Sequence, residues 1–320
     1  FELMNKIAEV LSYYSMDESV NIAIERGAFP LFEKSDYKEG KLPISGYYEI
    51  NKSQHNCDWD SLINKIKNNG IRNAFTTTIA PTGSISMICG CSNGIEPIFS
   101  LVFEKHVGIG KFYYVNDVFE RKLKELGIYS EELLEKIAKN YGCLEGMDID
   151  DNLKKVFVTA LSIHWLDHLV AQAIWQRWIS ASISKTINMP NDAVIDDVKL
   201  SYLIAKEIGL KGVTIYRDGS RHEQVLYVPT DEKQKTFCLK PSKYAIKFLN
   251  IKSEYTRSFL KEYLKRLEIK DLENDFYNEI PKSEKDVFVD AKCPLCNGLI
   301  IYEMGCNKCI ECGWSSCSVS

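Results

Sequence analysis

Apolar positions recur at helical spacing through much of the chain. Met4, Ile7, Ala8 and Leu11 share one face, which predicts a helix over residues 1–14. Ser15-Met16-Asp17-Glu18 has capping-box form and predicts the start of a second helix, with Gly27 as its stop and Pro30 beyond. The tract 26–43 reads as loop. Trp59, Leu62, Ile63 and Ile66 predict an amphipathic helix closed by Gly70. Further helices are expected around Phe119–Leu126, stopped by Gly127, and Leu134–Tyr141, stopped by Gly142. A long helical region is expected from Leu153 to about Ser182.

The pattern changes at Asn73–Ala80, where Phe75, Thr76, Thr77, Thr78 and Ile79 suit a strand. Pro81 ends it, having no N–H for a ladder. Thr82-Gly83-Ser84 follows, then a mildly apolar run with the character of a helix. Strand, tight turn, small hydroxyl residues and helix together aim free backbone amides at one point, which favours an anion. Gly83 lets a phosphate approach the backbone, and the Thr82 and Ser84 hydroxyls add donors. An ordinary helix cap uses the same residues. Amides at Thr82–Ile85 already taken by internal carbonyls would therefore remove the site. The segment is not a P-loop, because G-x-x-x-x-G-K-[ST] is absent.

VFEKHV, within the less distinct stretch Ser100–Tyr114, has strand character. Ser184–Met189 reads as a strand broken by Pro190. Asn191 or Asp192 then caps a helix carrying Val198, Tyr202, Ala205 and Ile208. Gly212–Arg217 reads as the next strand, and Asp218-Gly219 as a turn. Strands alternating with helices imply a parallel sheet covered by helices. Beyond Val228 the chain turns polar and linker-like. Tyr244–Phe276 is rich in Lys and Glu, with Phe259, Tyr263 and Leu267 at helical intervals, and predicts solvated helices.

Composition narrows the function. The 320 residues are 45% hydrophobic and 26% charged, enough for a sizeable core. The net charge of −4 leaves no basic footprint for direct nucleic-acid binding. No apolar run is long enough to span a bilayer, so no membrane association is expected. Of eleven cysteines, six crowd into residues 293–320. Reduced thiols and a metal, in a cytoplasmic protein, fit that spacing better than secreted disulfides.

The tail reads Cys293-x-x-Cys296, Cys306-x-x-Cys309-x-x-Cys312, then Cys317. Two Cys-x-x-Cys pairs complete a tetrahedral thiolate site suited to zinc. Cys293, Cys296 and Cys309 are common to both possible sets, with either Cys306 or Cys312 as the fourth ligand. Two thiols remain, Cys317 with Cys312 or with Cys306. A spare pair near a chain end suits thiol–disulfide exchange.

Other candidates carry less. His164 and His168 are four apart, but Trp165 stands where a zincin needs Glu, so packing or surface histidines are expected. Cys89 and Cys91 flank Gly90 and read as small buried thiols in preference to a dithiol pair. Glu96 is a candidate for orienting the loop, not for acid–base work. Tyr216 and Arg217 sit at a strand end, where barrel sites lie.

NAFTTTIAPTGSIS, then SNGIEPIF, resembles the phosphate-binding loop and following segment of ribonucleotide reductase large chains. The Pro-Thr-Gly-Ser form is similar to the class II, adenosylcobalamin-dependent branch. The stretches SKTINMP and TIYRDGSR continue the likeness, which covers roughly Phe1–Leu226 and then the Cys-rich end. The resemblance implies that Pro81, Thr82, Gly83, Ser84 and Ile85 hold the phosphates of a ribonucleotide substrate. It also implies that the tail, recharged by a thiol reductant, re-reduces active-site cysteines. It further implies a fold: the C-terminal part of a ten-stranded α/β barrel (1–228), a helical linker (229–286) and a zinc-ribbon-like tail (287–320). The family's radical cysteine lies upstream of the phosphate loop, and no Asn-Pro-Cys-x-Glu pattern occurs here. With Phe1 opening directly in a helical pattern, this predicts a complementary N-terminal polypeptide, in cis or in trans. The competing expectation is a non-catalytic zinc-ribbon binding module for nucleic acid or protein. Residues 287–320 argue against nucleic acid, with Lys292 and Lys308 set against Asp290, Glu303 and Glu311.

Overall fold

Helix α1 (Glu2–Arg26) runs without a break. The start expected at Ser15 is absent because the Ser15 hydroxyl donates back to the Leu11 carbonyl (2.6 Å). The computed structural model describes residues 1–107, 110–220, 239–269, 300–303, 306–309 and 315–317. The buried face of α1 carries Ala8, Ser12, Met16, Ser19, Val20 and Ala23, and Gly27 ends the helix. The tract 26–43 is more ordered than its composition suggests. Phe32, Tyr37 and Leu42 are buried, and α2 (Asp36–Glu39) forms within it. Helices α3 (Gly46–Glu49) and α4 (Trp59–Asn69) follow. The Asp58 carboxylate caps α4 through the Ser61 amide, and Gly70 closes it as predicted. These elements enclose a core containing Met16, Val20, Trp59, Leu62, Ile66 and Trp178. Within it Glu9 is fully buried, its carboxylate accepting from the Asn56 amide, the Asn56 side chain and Trp59 Nε1.

A second core forms further along. After α5 (Gly83–Cys89), β1 (Val102–Val107) pairs antiparallel with β2 (Gly110–Val115). Helices α6 (Asp117–Glu125), α7 (Glu131–Lys139) and α8 (Asp151–Val156) follow. Leu101, Val102, Phe119, Leu123, Leu134 and Ile137 pack together here. The long helix expected from Leu153 to about Ser182 is interrupted. The chain leaves α8 at Val156, and α9 (Trp165–Gln176) begins anew where His164 Nδ1 accepts the Leu166 amide (3.1 Å).

The βαβ unit follows: β3 (Thr186–Met189), α10 (Ile195–Glu207) and β4 (Thr214–Arg217), with Thr186 beside Thr214 and Met189 beside Arg217 in parallel register. The expected Asn191 or Asp192 cap is replaced by Asp197, whose carboxylate accepts the Val194 amide (2.9 Å). Helix α9 packs on β3, while α11 (Lys243–Phe248) packs on α9 and α12 (Glu254–Arg266) on α10. The latter two are not simply solvated, since Ala245, Ile246, Leu260 and Tyr263 are buried. The fold class is α/β and helix-rich, and among the described residues the parallel sheet is not closed.

The chain divides into two units, Phe1–Ile269 and Lys270–Ser320. The second unit contains an antiparallel sheet of β5 (Ile300–Glu303), β6 (Cys306–Cys309) and β7 (Ser315–Cys317), in that order. Cys293, Cys296 and Cys312 lie outside the described residues. Among the described residues no helix is long and apolar enough to cross a membrane.

Candidate functional site

The segment before Pro81 is extended and lies parallel to residues 180–184, bridged at Ile79 and Ile183. The Ile79 amide donates to the Ser182 carbonyl (3.3 Å), and the Ser184 amide to the Ile79 carbonyl (2.8 Å). The full strand expected over Asn73–Ala80 does not form because side chains replace ladder partners. The Thr76 and Thr77 amides both donate to Ser180 Oγ (3.1 Å), and the Ser180 amide donates to Thr77 Oγ1 (3.1 Å).

Beyond Pro81, Thr82 takes a left-handed conformation, φ 49°, uncommon for a β-branched residue. The Thr82 carbonyl accepts the Ser86 amide (3.0 Å), which starts α5. The amides of Gly83, Ser84 and Ile85 fall in the first turn, where no intrahelical carbonyl can reach them. Among the described residues no acceptor is recorded for these amides or for that of Thr82. Pro81, Gly83, Ser84 and Ile85 are exposed, and the space above Gly83 is open for at least 4 Å around a notional Cβ. The first turn of α5 carries no acidic residue. The loop is therefore a set of unfilled donors on an accessible surface, with no carboxylate in that turn to repel an anion.

The returning segment closes over the loop. Gly94 donates its amide to Thr82 Oγ1 (2.9 Å), and Asn93 Nδ2 donates to the Pro81 carbonyl (3.3 Å). Glu96, two residues on, accepts from Lys185 Nζ (2.7 Å) and from the Thr186 amide. Burial pushes the Lys185 ammonium below its usual range, opposed by the Glu96 charge. Lys185 is a residue that sequence reasoning missed.

A family model described as the barrel domain of ribonucleotide reductase matches residues 1–216. The chain belongs to the ribonucleotide reductase family. It is 42% identical over 235 residues to a vitamin B12-dependent ribonucleoside-diphosphate reductase of Thermoplasma acidophilum, covering 73% of this chain and 27% of that relative. A vitamin B12-dependent ribonucleoside-diphosphate reductase of Mycobacterium tuberculosis is 35% identical over 208 residues, 65% of this chain and 26% of the relative. A vitamin B12-dependent ribonucleotide reductase of Streptomyces clavuligerus is 36% identical over 184 residues, 55% of this chain and 19% of the relative. The chain thus spans about a quarter or less of the length of these curated relatives.

The reductase match includes the Pro81–Ile85 loop, Glu96, Lys185 and β3. The other residues singled out from the sequence lie elsewhere. Cys89 and Cys91 are exposed, not buried, because α5 presents its C-terminal end to solvent. Of the two roles expected for His164 and His168, packing or surface, both take the first, being buried. Burial lowers both to a pKa of about 3, with the Lys185 charge contributing at His168. Since His164 Nδ1 accepts the Leu166 amide, its Nε2 carries the proton and donates to the Tyr263 hydroxyl (2.7 Å). His164, Trp165, Asp192, Asp197, Tyr263 and Arg266 line a cavity of about 300 Å³, to which Pro81–Ile85 contribute nothing. Tyr216 and Arg217 end β4, where Arg217 Nε donates to the Ala193 carbonyl (3.0 Å). Cys306 and Cys309 lie on β6 and Cys317 on β7, with Cys306 directly opposite Cys317 in the register.

Proposed function

We propose that this chain is the substrate-phosphate and reductant-relay portion of a class II ribonucleotide reductase, which makes 2′-deoxyribonucleotides by thiyl-radical chemistry. The observation that carries the reading is the run of unfilled amides at Thr82–Ile85 on an exposed turn. Pro81, Thr82, Gly83, Ser84 and Ile85 receive the phosphates of a ribonucleotide, the loop amides and the Ser84 hydroxyl donating to its oxygens. The names of the B12-dependent relatives support adenosylcobalamin as the cofactor of the complete enzyme. When bound, that group supplies the radical initiator. No corrin ligand is assigned within this chain, whose own contributions are phosphate binding and electron delivery.

A complementary N-terminal polypeptide, in cis or in trans, completes the barrel and carries the radical cysteine. The share of the relatives that the chain covers supports this, as does the unclosed sheet. A further support is the outward stripe of α1: Leu3, Ile7, Leu11 and Tyr14 are between 47% and 68% exposed at helical spacing.

In the tail, Cys293, Cys296, Cys309 and one of Cys306 or Cys312 hold zinc. Thiolate donors in two Cys-x-x-Cys turns fit that ion. Cys317 pairs with Cys312 or with Cys306 as the relay. The dithiol attacks an active-site disulfide, passes it two electrons and two protons, and becomes a disulfide itself. An external thiol reductant restores it. The Cys306–Cys317 register supports the second pairing, because directly opposed antiparallel residues have Cα atoms about 4.5–5.5 Å apart, within disulfide range. Such thiols need the reducing cytoplasm.

The test is co-purification with an N-terminal reductase polypeptide, then a reductase assay with cobalamin and dithiol, with and without Cys317→Ser. The expected result is activity only in the complex, and one turnover without multiple turnover in the variant. Reduction by this chain alone would remove the partner. Unchanged multiple turnover would remove Cys317 from the relay.

A further inference from the structure

The Pro81–Gly94 loop has two feet, and both stand on one extended run of chain. The first foot is Thr77–Ile79, bonded to Ser180, Ser182 and Ser184. The second is Asn93–Glu96, bonded to the next two residues of that run. Glu96 Oε1 accepts the Thr186 amide, and Oε2 accepts from Lys185 Nζ (2.7 Å). Lys185 Nζ also donates to the Thr186 carbonyl (2.8 Å). The Lys185 side chain is 1% exposed and that of Glu96 15%, so the pair lies beneath the loop.

Between the feet, Thr82 is held in a conformation it does not prefer. Its Oγ1 is fixed by the Gly94 amide (2.9 Å), and Gly94 itself sits at φ 52° with a notional Cβ only 3.2 Å from the Ala80 carbonyl oxygen. The Glu96 amide donates to the Asn93 carbonyl (2.9 Å), which carries the position of Glu96 back to Asn93 and Gly94. A strained residue persists only where its surroundings over-determine it. A buried ion pair is weak support for stability by itself, since an apolar pair of similar volume often serves as well. What this pair adds is a fixed place for the carboxylate that grips the Thr186 amide.

We propose that Glu96 is the positioning residue of the phosphate loop: neutralised by Lys185, it anchors the Asn93–Glu96 return to Thr186 and keeps Thr82 turned and the loop amides open. The proposal rests on the reading of Pro81–Ile85 as a phosphate site and deepens it. Glu96 touches no substrate and acts through Gly94 and Thr82.

The test compares two double variants of the full chain, neither of which leaves a buried unpaired charge. Glu96→Gln with Lys185→Met keeps an oxygen for the Thr186 amide, whereas Glu96→Ala with Lys185→Met removes it. Calorimetric titration with CDP and hydrogen exchange at the Gly94 amide are read on each. The alanine pair is expected to bind CDP at least tenfold more weakly and to exchange Gly94 at least tenfold faster, with exchange at Ile187 unchanged. The glutamine pair is expected to stay within threefold of the parent on both. Equal CDP affinity in the two pairs, or unchanged Gly94 exchange in the alanine pair, overturns the proposal. If the parent chain binds no CDP, the phosphate-site reading fails, and the anchor is judged on Gly94 exchange alone.

Discussion

Two turns follow extended segments that lie parallel to their neighbours, and both open with proline. Pro81 follows the segment bridged to Ile183, and Pro190 follows β3. At the second turn several backbone groups are taken. The Ala193 amide donates to the Pro190 carbonyl (3.1 Å) and the Val194 amide to Asp197 (2.9 Å), while the Asp218 amide donates to the Met189 carbonyl (2.9 Å). Asp196 and Asp197 occupy the first turn of α10. At the first turn no acceptor is recorded among the described residues for the amides of Thr82–Ile85, and the first turn of α5 carries no acid. Strand, proline, turn and helix thus suit the proposed anion site only where no carboxylate stands at the start of the helix. An anion meets two carboxylates at one turn and open donors at the other.

The largest expected effect tests the packed side. His164 lines the cavity with Pro190 and Ala193, and His168 lies one turn on along α9. Each has a folded-state pKa of about 3 against an ordinary 6.5. Between those values the unfolded chain binds more protons than the folded one. Stability is therefore full above pH 6.5 and falls as pH drops toward 3, by up to ~1.4 kcal/mol per pH unit for each histidine. Urea midpoints at pH 7, 6, 5 and 4 measure this. A flat profile from 6.5 to 4.5 would show that the histidines are not held neutral.

The open side answers next. Glu96→Ala alone strands the Lys185 charge beneath the loop, and the expected loss in urea denaturation is ~3–5 kcal/mol. Adding Lys185→Met should recover most of it. A loss below about 1 kcal/mol in the single variant would show that Lys185 finds water or another acceptor, and that the two turns differ less than their contacts suggest.

Much of this contrast was legible in the chain. Local signals carried it: Asp58 and Gly70 bound α4, Pro81 and Gly83 mark the open turn, and Pro190 with the apolar spacing beyond it marks the βαβ unit. What failed to show depends on partners distant in sequence. The strand over Asn73–Ala80 was lost to Ser180, a hydroxyl about a hundred residues away, and Glu96 found Lys185 at a separation of 89. Ser15 looked like a cap, but its hydroxyl turned back to Leu11. The Lys- and Glu-rich helices concealed an apolar face, Ala245, Ile246, Leu260 and Tyr263, whose burial only α9 and α10 explain. The two cysteines after the loop looked buried by type and are exposed by position.

A smaller effect asks whether open amides suffice to make a site. Asp197→Ala removes both the acceptor of the Val194 amide and the ion-pair partner of Arg266 at the packed turn, at an expected cost of at least about 1 kcal/mol. The variant should gain no affinity for inorganic pyrophosphate, because Asp192 and Asp196 still stand at that turn. Pyrophosphate binding in this variant, read by calorimetry, would mean that acid placement does not distinguish the turns.

The smallest effect separates ligand from scaffold at a single hydroxyl. Ser84 is exposed and, among the described residues, no side-chain bond of it is recorded, unlike Ser86, whose hydroxyl donates to the Gly83 carbonyl (2.9 Å). Removing an exposed hydroxyl with no internal partner leaves stability within ~0.5 kcal/mol. Removing one that donates to a phosphate oxygen forfeits a net hydrogen bond, about 0.5–1.5 kcal/mol. Ser84→Ala should therefore weaken CDP binding about threefold while the urea midpoint stays put. Ser86→Ala should do the reverse, lowering the midpoint because Ser86 is buried and bonded within the turn. If the two substitutions shifted affinity and stability in the same proportion, Ser84 would be part of the scaffold, and the open turn would differ from the packed one only in shape.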